Sequence, residues 1–255
     1  MLPLLEHMVF RALFIGLRVA GLMTFVPFLG STSTPARAKA AFTIVLTALL
    51  YPICPVPEMI LSPMGWVKLV LGELMLGMVL GLCLQFVLEA AEMAGQVAGF
   101  QFGFSLVNVI DPQTNVDTPV LSIFYQLFAL FLFLQLNVHH WVLRGMAQSF
   151  EYVPVGSVVI TAGVMREFLH YAGGMWLVGV QIATPVLLAT LVLDVTVGFL
   201  SKASPQMPAI LLSIPLKSMI GYAVLAISLS LWPRLFEKNF TVALGWSEKL
   251  LHLAH

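Results

Sequence analysis

Residues 64–98 read MGWVKLVLGELMLGMVLGLCLQFVLEAAEMAGQVA. No proline interrupts the run, and no charge falls between 74 and 88. Its polar residues keep a helical period. At about 100° per residue, Gly81, Gln85, Glu89, Glu92, Gln96 and Gly99 lie within an arc of about 80°. A long apolar helix with one polar stripe is the unit from which the fold is read.

The rest of the chain repeats that unit. Other charge-free stretches are 19–36, 40–57, 93–110, 118–143, 168–193 and 218–233. A 26-residue gap spans about 39 Å as a helix, enough to cross a hydrocarbon core of about 30 Å. The breaks have chemical causes: turn residues in Gly30–Pro35, three prolines within 52–57, Asp111-Pro112, Thr118-Pro119, and Pro205 with Pro208. The spacing predicts an all-α membrane protein of about six long helices, 4–27, 37–53, 64–98, 118–150, 168–200 and 209–232, followed by an amphipathic tail. With six spans, the positive-inside rule places both termini in the cytoplasm.

Composition agrees. Of 255 residues 60% are hydrophobic and 9% charged, with 12 basic and 12 acidic groups. Mean hydropathy is +0.98. That leaves too little polar surface to coat a water-soluble particle. The chain is integral to a membrane or packed inside a larger apolar assembly. Zero net charge argues against nucleic acid, whose phosphates need clustered Lys and Arg. Cys54 and Cys83 lack metal-site spacing and give no disulfide framework. Glu6, Arg11 and Arg18 interrupt the first apolar stretch, so no cleavable signal peptide is expected.

A second stripe lies on the helix expected over 118–150, where Ser122, Gln126, Asn137, His140, Arg144 and Gln148 share a face. Such stripes are either interhelical hydrogen-bond seams or water-facing walls, because lipid would penalise them. Small residues recur every four positions at Ala12, Gly16 and Ala20, and again at Ala91, Gly95, Gly99 and Gly103, as close backbone packing requires.

No chemistry emerges from these residues. His139 and His140 are about 100° apart and cannot chelate one metal from one helix face. GxSxG and Walker motifs are absent. Glu89 and Glu92 could serve a proton relay, which keeps a small-solute or ion transporter as the alternative. The chain is read as a non-enzyme, with no cofactor and no metal.

Several segments together resemble the FliR family, the R subunit of the flagellar export gate. They are Arg18–Leu22, Pro27–Gly30 and Pro35–Lys39; Ala94–Ser105 running on to Asp111-Pro112; Leu136-Asn137-Val138-His139-His140; and Gly198–Met207 followed by Ile214–Lys217. The resemblance implies a P-like gate portion over 1–174, a Q-like helical hairpin over 175–232 and a C-terminal tail over 233–255. It also implies a pore plug at about 103–119, carried by Gly103, Phe104, Ser105, Leu106, Val107, Asn108, Val109, Ile110, Asp111 and Pro112. A hairpin turn is implied at Ser201, Lys202, Pro205, Gln206 and Met207. The implied partners are P and Q subunits in a hetero-oligomeric ring, the B-type export switch protein, the proximal rod base and exported flagellar proteins. The implied place is the bacterial inner membrane at the flagellar basal body, with part of the gate above the membrane plane.

Overall fold

The computed structural model describes residues 2–27, 30, 34–54, 63–103, 120–159, 161–204 and 209–254. These form eight helices: α1 Leu2–Phe25, α2 Ala36–Leu50, α3 Pro63–Gln101, α4 Val120–Gln135, α5 Val138–Tyr152, α6 Ala162–Ala203, α7 Ala209–Ser228 and α8 Trp232–Leu253. The all-α expectation holds, and helices α1, α2, α3 and α6 fall where the charge gaps place them.

Two expectations are corrected. The single helix over 118–150 is two, because Asn137 adopts a left-handed backbone, φ 56°. Asparagine enters that region more readily than most residues, and one such residue ends a helix. The tail after 232 is a 22-residue helix, α8. It is separated from α7 because Pro233, at its second position, has no N–H to continue α7. Three helical stretches, Met8–Phe25, Met64–Gln101 and Ala162–Ala203, are long and apolar enough to cross a membrane, or up to five if each broken pair α4–α5 and α7–α8 counts as one span. That is fewer than the six spans on which the placement of the termini was built.

The chain divides into two compact units that interleave along the sequence. The first comprises 1–87, 137–173 and 240–255. Its centre is the crossing of α1 over α3. A Cβ on Gly81 would lie 2.8 Å from the Leu22 carbonyl oxygen, and one on Gly77 would lie 2.9 Å from the Leu22 nitrogen. Gly21 faces the same backbone from α1. Only glycine lets two helices approach this closely.

Beside the crossing sits a fully buried ion pair. Arg18 Nε donates to Glu73 Oε2 at 2.6 Å, and both side chains have 0% exposure. Arg18 Nη1 donates to the Ser149 carbonyl at 2.8 Å and Nη2 to the Val153 carbonyl at 2.9 Å. Its guanidinium lies over the Phe150 ring at 4.1 Å. The other Glu73 oxygen accepts the Gly156 N–H at 3.1 Å. Arg18 thereby sits at the C-terminal carbonyls of α5, sharing that of Ser149 with the Val153 N–H, where a cation is favoured.

The C-terminal half of α8 packs within this unit through Phe240, Ala243, Leu250 and Leu251. Polar contacts rim it: Tyr152 to Glu248 at 3.2 Å, Lys249 to Glu167 at 2.9 Å, and Val159 N–H to the Ala254 carbonyl at 2.9 Å. At the other end, Arg11 donates to the carbonyls of Tyr51 and Cys54, closing the C-terminus of α2.

The second unit comprises 88–136 and 174–239. Ala90, Ala91, Ala94 and Ala98 are each 0% exposed, so α3 presents a smooth face. A Cβ on Gly95 would lie 2.5 Å from Ser122 Cα, which brings α4 into backbone contact. Trp232 fills the space beyond, edge-on to Tyr125 at 4.7 Å and to Phe128 at 5.3 Å. Asp194 and Lys217 form an ion pair between α6 and α7. Asp194 lies nine residues before the end of α6 and Lys217 eight after the start of α7, so the two helices run antiparallel.

Two predictions follow from this packing. Arg18→Met leaves a buried carboxylate unpaired and should cost about 3–5 kcal/mol, whereas Arg18→Met with Glu73→Leu should recover most of that loss. Thermal unfolding in mild detergent reads both. Gly95→Leu should impair accumulation of the folded chain, since it forces α4 away from α3. Gly173→Leu, where nothing lies within 4 Å of a Cβ, should be tolerated in the same assay.

Candidate functional site

On α3, Gln85, Glu89, Glu92 and Gln96 are all partly buried. In the second unit Gln126 Nε2 donates to Glu92 Oε2 at 3.0 Å. Glu92 is thus a carboxylate held by the Gln126 amide at the α3–α4 contact, one turn from the close approach at Gly95. Gly99, on the same helix, is buried.

The second stripe does not survive as one face. Its register assumed an unbroken helix, and Asn137 interrupts it. On α5, His140, Arg144 and Gln148 retain their mutual spacing and are exposed, as is Asn137 itself. Arg144, Gln148 and Tyr152 of α5 line a cleft of about 330 Å³ between α5 and the C-terminal half of α8, which contributes Glu248. The His139 and His140 rings lie 4.2 Å apart. Among the described residues no three His, Cys, Asp or Glu side chains converge as metal ligands.

Helix α3 ends at a glycine. Gly103 has φ 85° and its N–H donates to the Phe100 carbonyl at 3.2 Å, ending the helix in a conformation that favours glycine. Phe102 anchors this end: it is 2% exposed, its ring meets Tyr222 at 4.9 Å, and its carbonyl accepts from Ser218 at 3.0 Å. Phe104, Ser105, Leu106, Val107, Asn108, Val109, Ile110, Asp111 and Pro112 lie outside the described residues. Of the expected hairpin turn, Ser201 and Lys202 form the last turn of α6, while Pro205, Gln206 and Met207 lie outside the described residues.

Sequence reasoning passed over Arg18 and Glu73 as a pair, together with Gly21 and Gly77. The signal was present in part. Each charge is isolated in an apolar helix, and an intramembrane ionisable group calls for a named partner. The two cysteines are free thiols. Burial pushes the Cys54 thiol above its ordinary value, with Arg18 and Arg11 pulling it partly back, so it is an inert side chain and not a thiolate nucleophile.

The chain is similar to the flagellar biosynthetic protein FliR of Bacillus subtilis (strain 168), 26% identical over 245 residues that cover 94% of each chain. It is similar to the FliR of Escherichia coli (strain K12), 27% identical over 210 residues covering 82% of this chain and 80% of that one. The FliR of Aquifex aeolicus (strain VF5) is 29% identical over 214 residues, covering 84% and 82%. None of this supports the small-solute transporter reading. A model of the bacterial export proteins, family 1, matches residues 9–243, and the chain belongs to that family.

Proposed function

We propose that this chain is the R subunit of the flagellar protein export gate, a structural and gating component that helps form and close the pore for unfolded flagellar proteins. The observation that carries the reading is similarity to FliR proteins over nearly the whole chain. The geometry supports it in physical terms. Helix α6 has 42 residues, about 63 Å, and α3 has 39, about 58 Å. A hydrocarbon core is about 30 Å thick. Yet large apolar side chains stay exposed along α6, among them Leu169, Trp176, Leu188, Val195 and Phe199. Whatever length of α6 lies in lipid, the remainder needs protein cover, which a ring of P and Q subunits supplies. The B-type switch protein, the proximal rod base and the exported proteins complete the proposed partners. The place is the inner membrane at the flagellar basal body.

Within the chain, 1–174 is the P-like portion and 175–232 the Q-like hairpin. The antiparallel pairing of α6 with α7 supports the hairpin, whereas the compact units cut the chain differently, with 88–136 grouped with 174–239. The last part, 233–255, secures the fold through α8. The loop from Gly103 to Pro119 is the plug, leaving α3 at a glycine that permits rotation and at a phenylalanine that fixes its root. The work of such a subunit is mechanical: it makes and breaks contacts, with no bond chemistry of its own. Deleting the gene should abolish export of flagellar proteins into the medium; undiminished export would overturn the assignment.

Shortening 106–116 to a few Gly and Ser residues should leave assembly intact and raise ion leak through the resting gate, read as conductance or as growth sensitivity in high salt. An unchanged leak with normal assembly would reduce the segment to a connector. Glu89→Gln with Glu92→Gln keeps the shape and the hydrogen bonding of the α3–α4 seam. Export should stay within about two-fold of wild type, whereas complete loss in a normally assembled gate would indicate a charge-dependent role.

A further inference from the structure

The first unit contains an apolar cleft of about 260 Å³ that the gating account leaves unused. Its walls come from all three candidate spans: Phe25 of α1, Met75 and Val79 of α3, and Met165 and Phe168 of α6, with Leu251 of α8 closing one side. Ser247 is its one polar lining residue. Read as membrane spans, these helices put hydrocarbon outside the cleft, and unbranched methionines reshape readily around a flexible chain. Met75 is 39% exposed and Met165 46%, so the cleft opens at its methionine side.

One cation stands in line with it. Lys68 lies seven residues before Met75, two turns along the same face of α3, at about 10 Å. Gly72, between them, carries no side chain. Lys68 is exposed and, among the described residues, enters no ion pair, whereas Lys249, on the α8 side, is already held by Glu167 at 2.9 Å. Lys68 is also near the start of the span Met64–Gln101, where a lysine extends its stem towards the headgroups.

We propose that this cleft holds one acyl chain of an anionic phospholipid, with Lys68 meeting the phosphate. The proposal rests on reading the three helices as membrane spans. The chain buries in the cleft the apolar walls that neither water nor the rest of the fold covers. The ammonium group supplies the preference among headgroups, since one Lys near the surface favours anionic lipid by about five-fold in binding.

The test is native mass spectrometry of the full chain in its gate complex, extracted in mild detergent and titrated with phosphatidylglycerol or phosphatidylcholine vesicles. The wild type should retain a phospholipid and prefer phosphatidylglycerol about five-fold. Lys68→Gln, at an exposed position, should abolish the preference while leaving retention. Met165→Trp, which fills the cleft from a half-exposed position, should lower retention of both lipids. Equal retention in Met165→Trp and wild type would overturn the site. Retention of a free fatty acid in place of phospholipid, indifferent to Lys68→Gln, would overturn the phospholipid assignment. Carbonate extraction separates the two levels of failure. Protein stripped from membranes by carbonate would overturn the membrane reading itself, whereas membrane-bound protein without retained lipid would overturn this proposal alone.

Discussion

The buried pair Arg18–Glu73 is the constraint on which the first unit depends. Two charges taken out of water cost several kcal/mol each, and only a nearly complete set of partners offsets that. Here the set is nearly complete. Glu73 receives Arg18 on one oxygen and the Gly156 N–H on the other, and Arg18 spends its remaining donors on α5 carbonyls. Each partner thereby fixes a different piece of chain. Arg18 ties down the end of α5, Glu73 holds the Gly156 N–H, and the pair links α1 to α3. The glycines follow from this requirement: side chains at Gly21 or Gly77 would separate the helices and pull the charges apart. The pair therefore acts more as a device for specifying one arrangement than as a source of net stability.

The second unit solves the same problem with a hydrogen-bonded, partly buried carboxylate in place of a fully buried ion pair. Small residues on α3 admit α4, the Glu92–Gln126 bond marks the register, and Trp232 fills the remaining volume between aromatic edges. An amide–carboxylate contact of this kind is easier to break and remake than a buried ion pair with backbone partners. That difference suits a molecule in which one part must stay fixed while another adjusts. The segment proposed as the plug follows Gly103, which belongs to the second unit. The long exposed apolar helices give the third element of the account, since they leave the fold incomplete until neighbours or lipid cover them.

Fold class and most helix positions were legible because charge is scarce: each apolar gap can only be a helix in a non-aqueous setting. The α3 stripe was legible because no residue disturbs its period. The α4–α5 break was not, because a single left-handed Asn137 is silent in hydropathy, and one residue of altered backbone undoes every angle counted past it. The α8 helix was read as a tail because its amphipathic pattern does not reveal what its apolar face meets. Arg18 with Glu73 was missed for a different reason. The partners are 55 positions apart, and periodicity reports faces within a helix, never which two faces meet. Gly95, in contrast, stood out within a four-residue ladder, which marks a close-packing position, although α4 as its partner is seen only in the structure.

The central claim is that this chain is one part of a protein-export gate and takes its lasting form only with its neighbours. Affinity purification of the tagged chain, expressed with and without the P and Q gate subunits and extracted in mild detergent, tests it most directly. The account predicts a stable hetero-oligomer containing P and Q when they are present, and a protease-sensitive, aggregating chain when they are absent. A monodisperse, protease-resistant monomer that ignores co-expressed P and Q would contradict it.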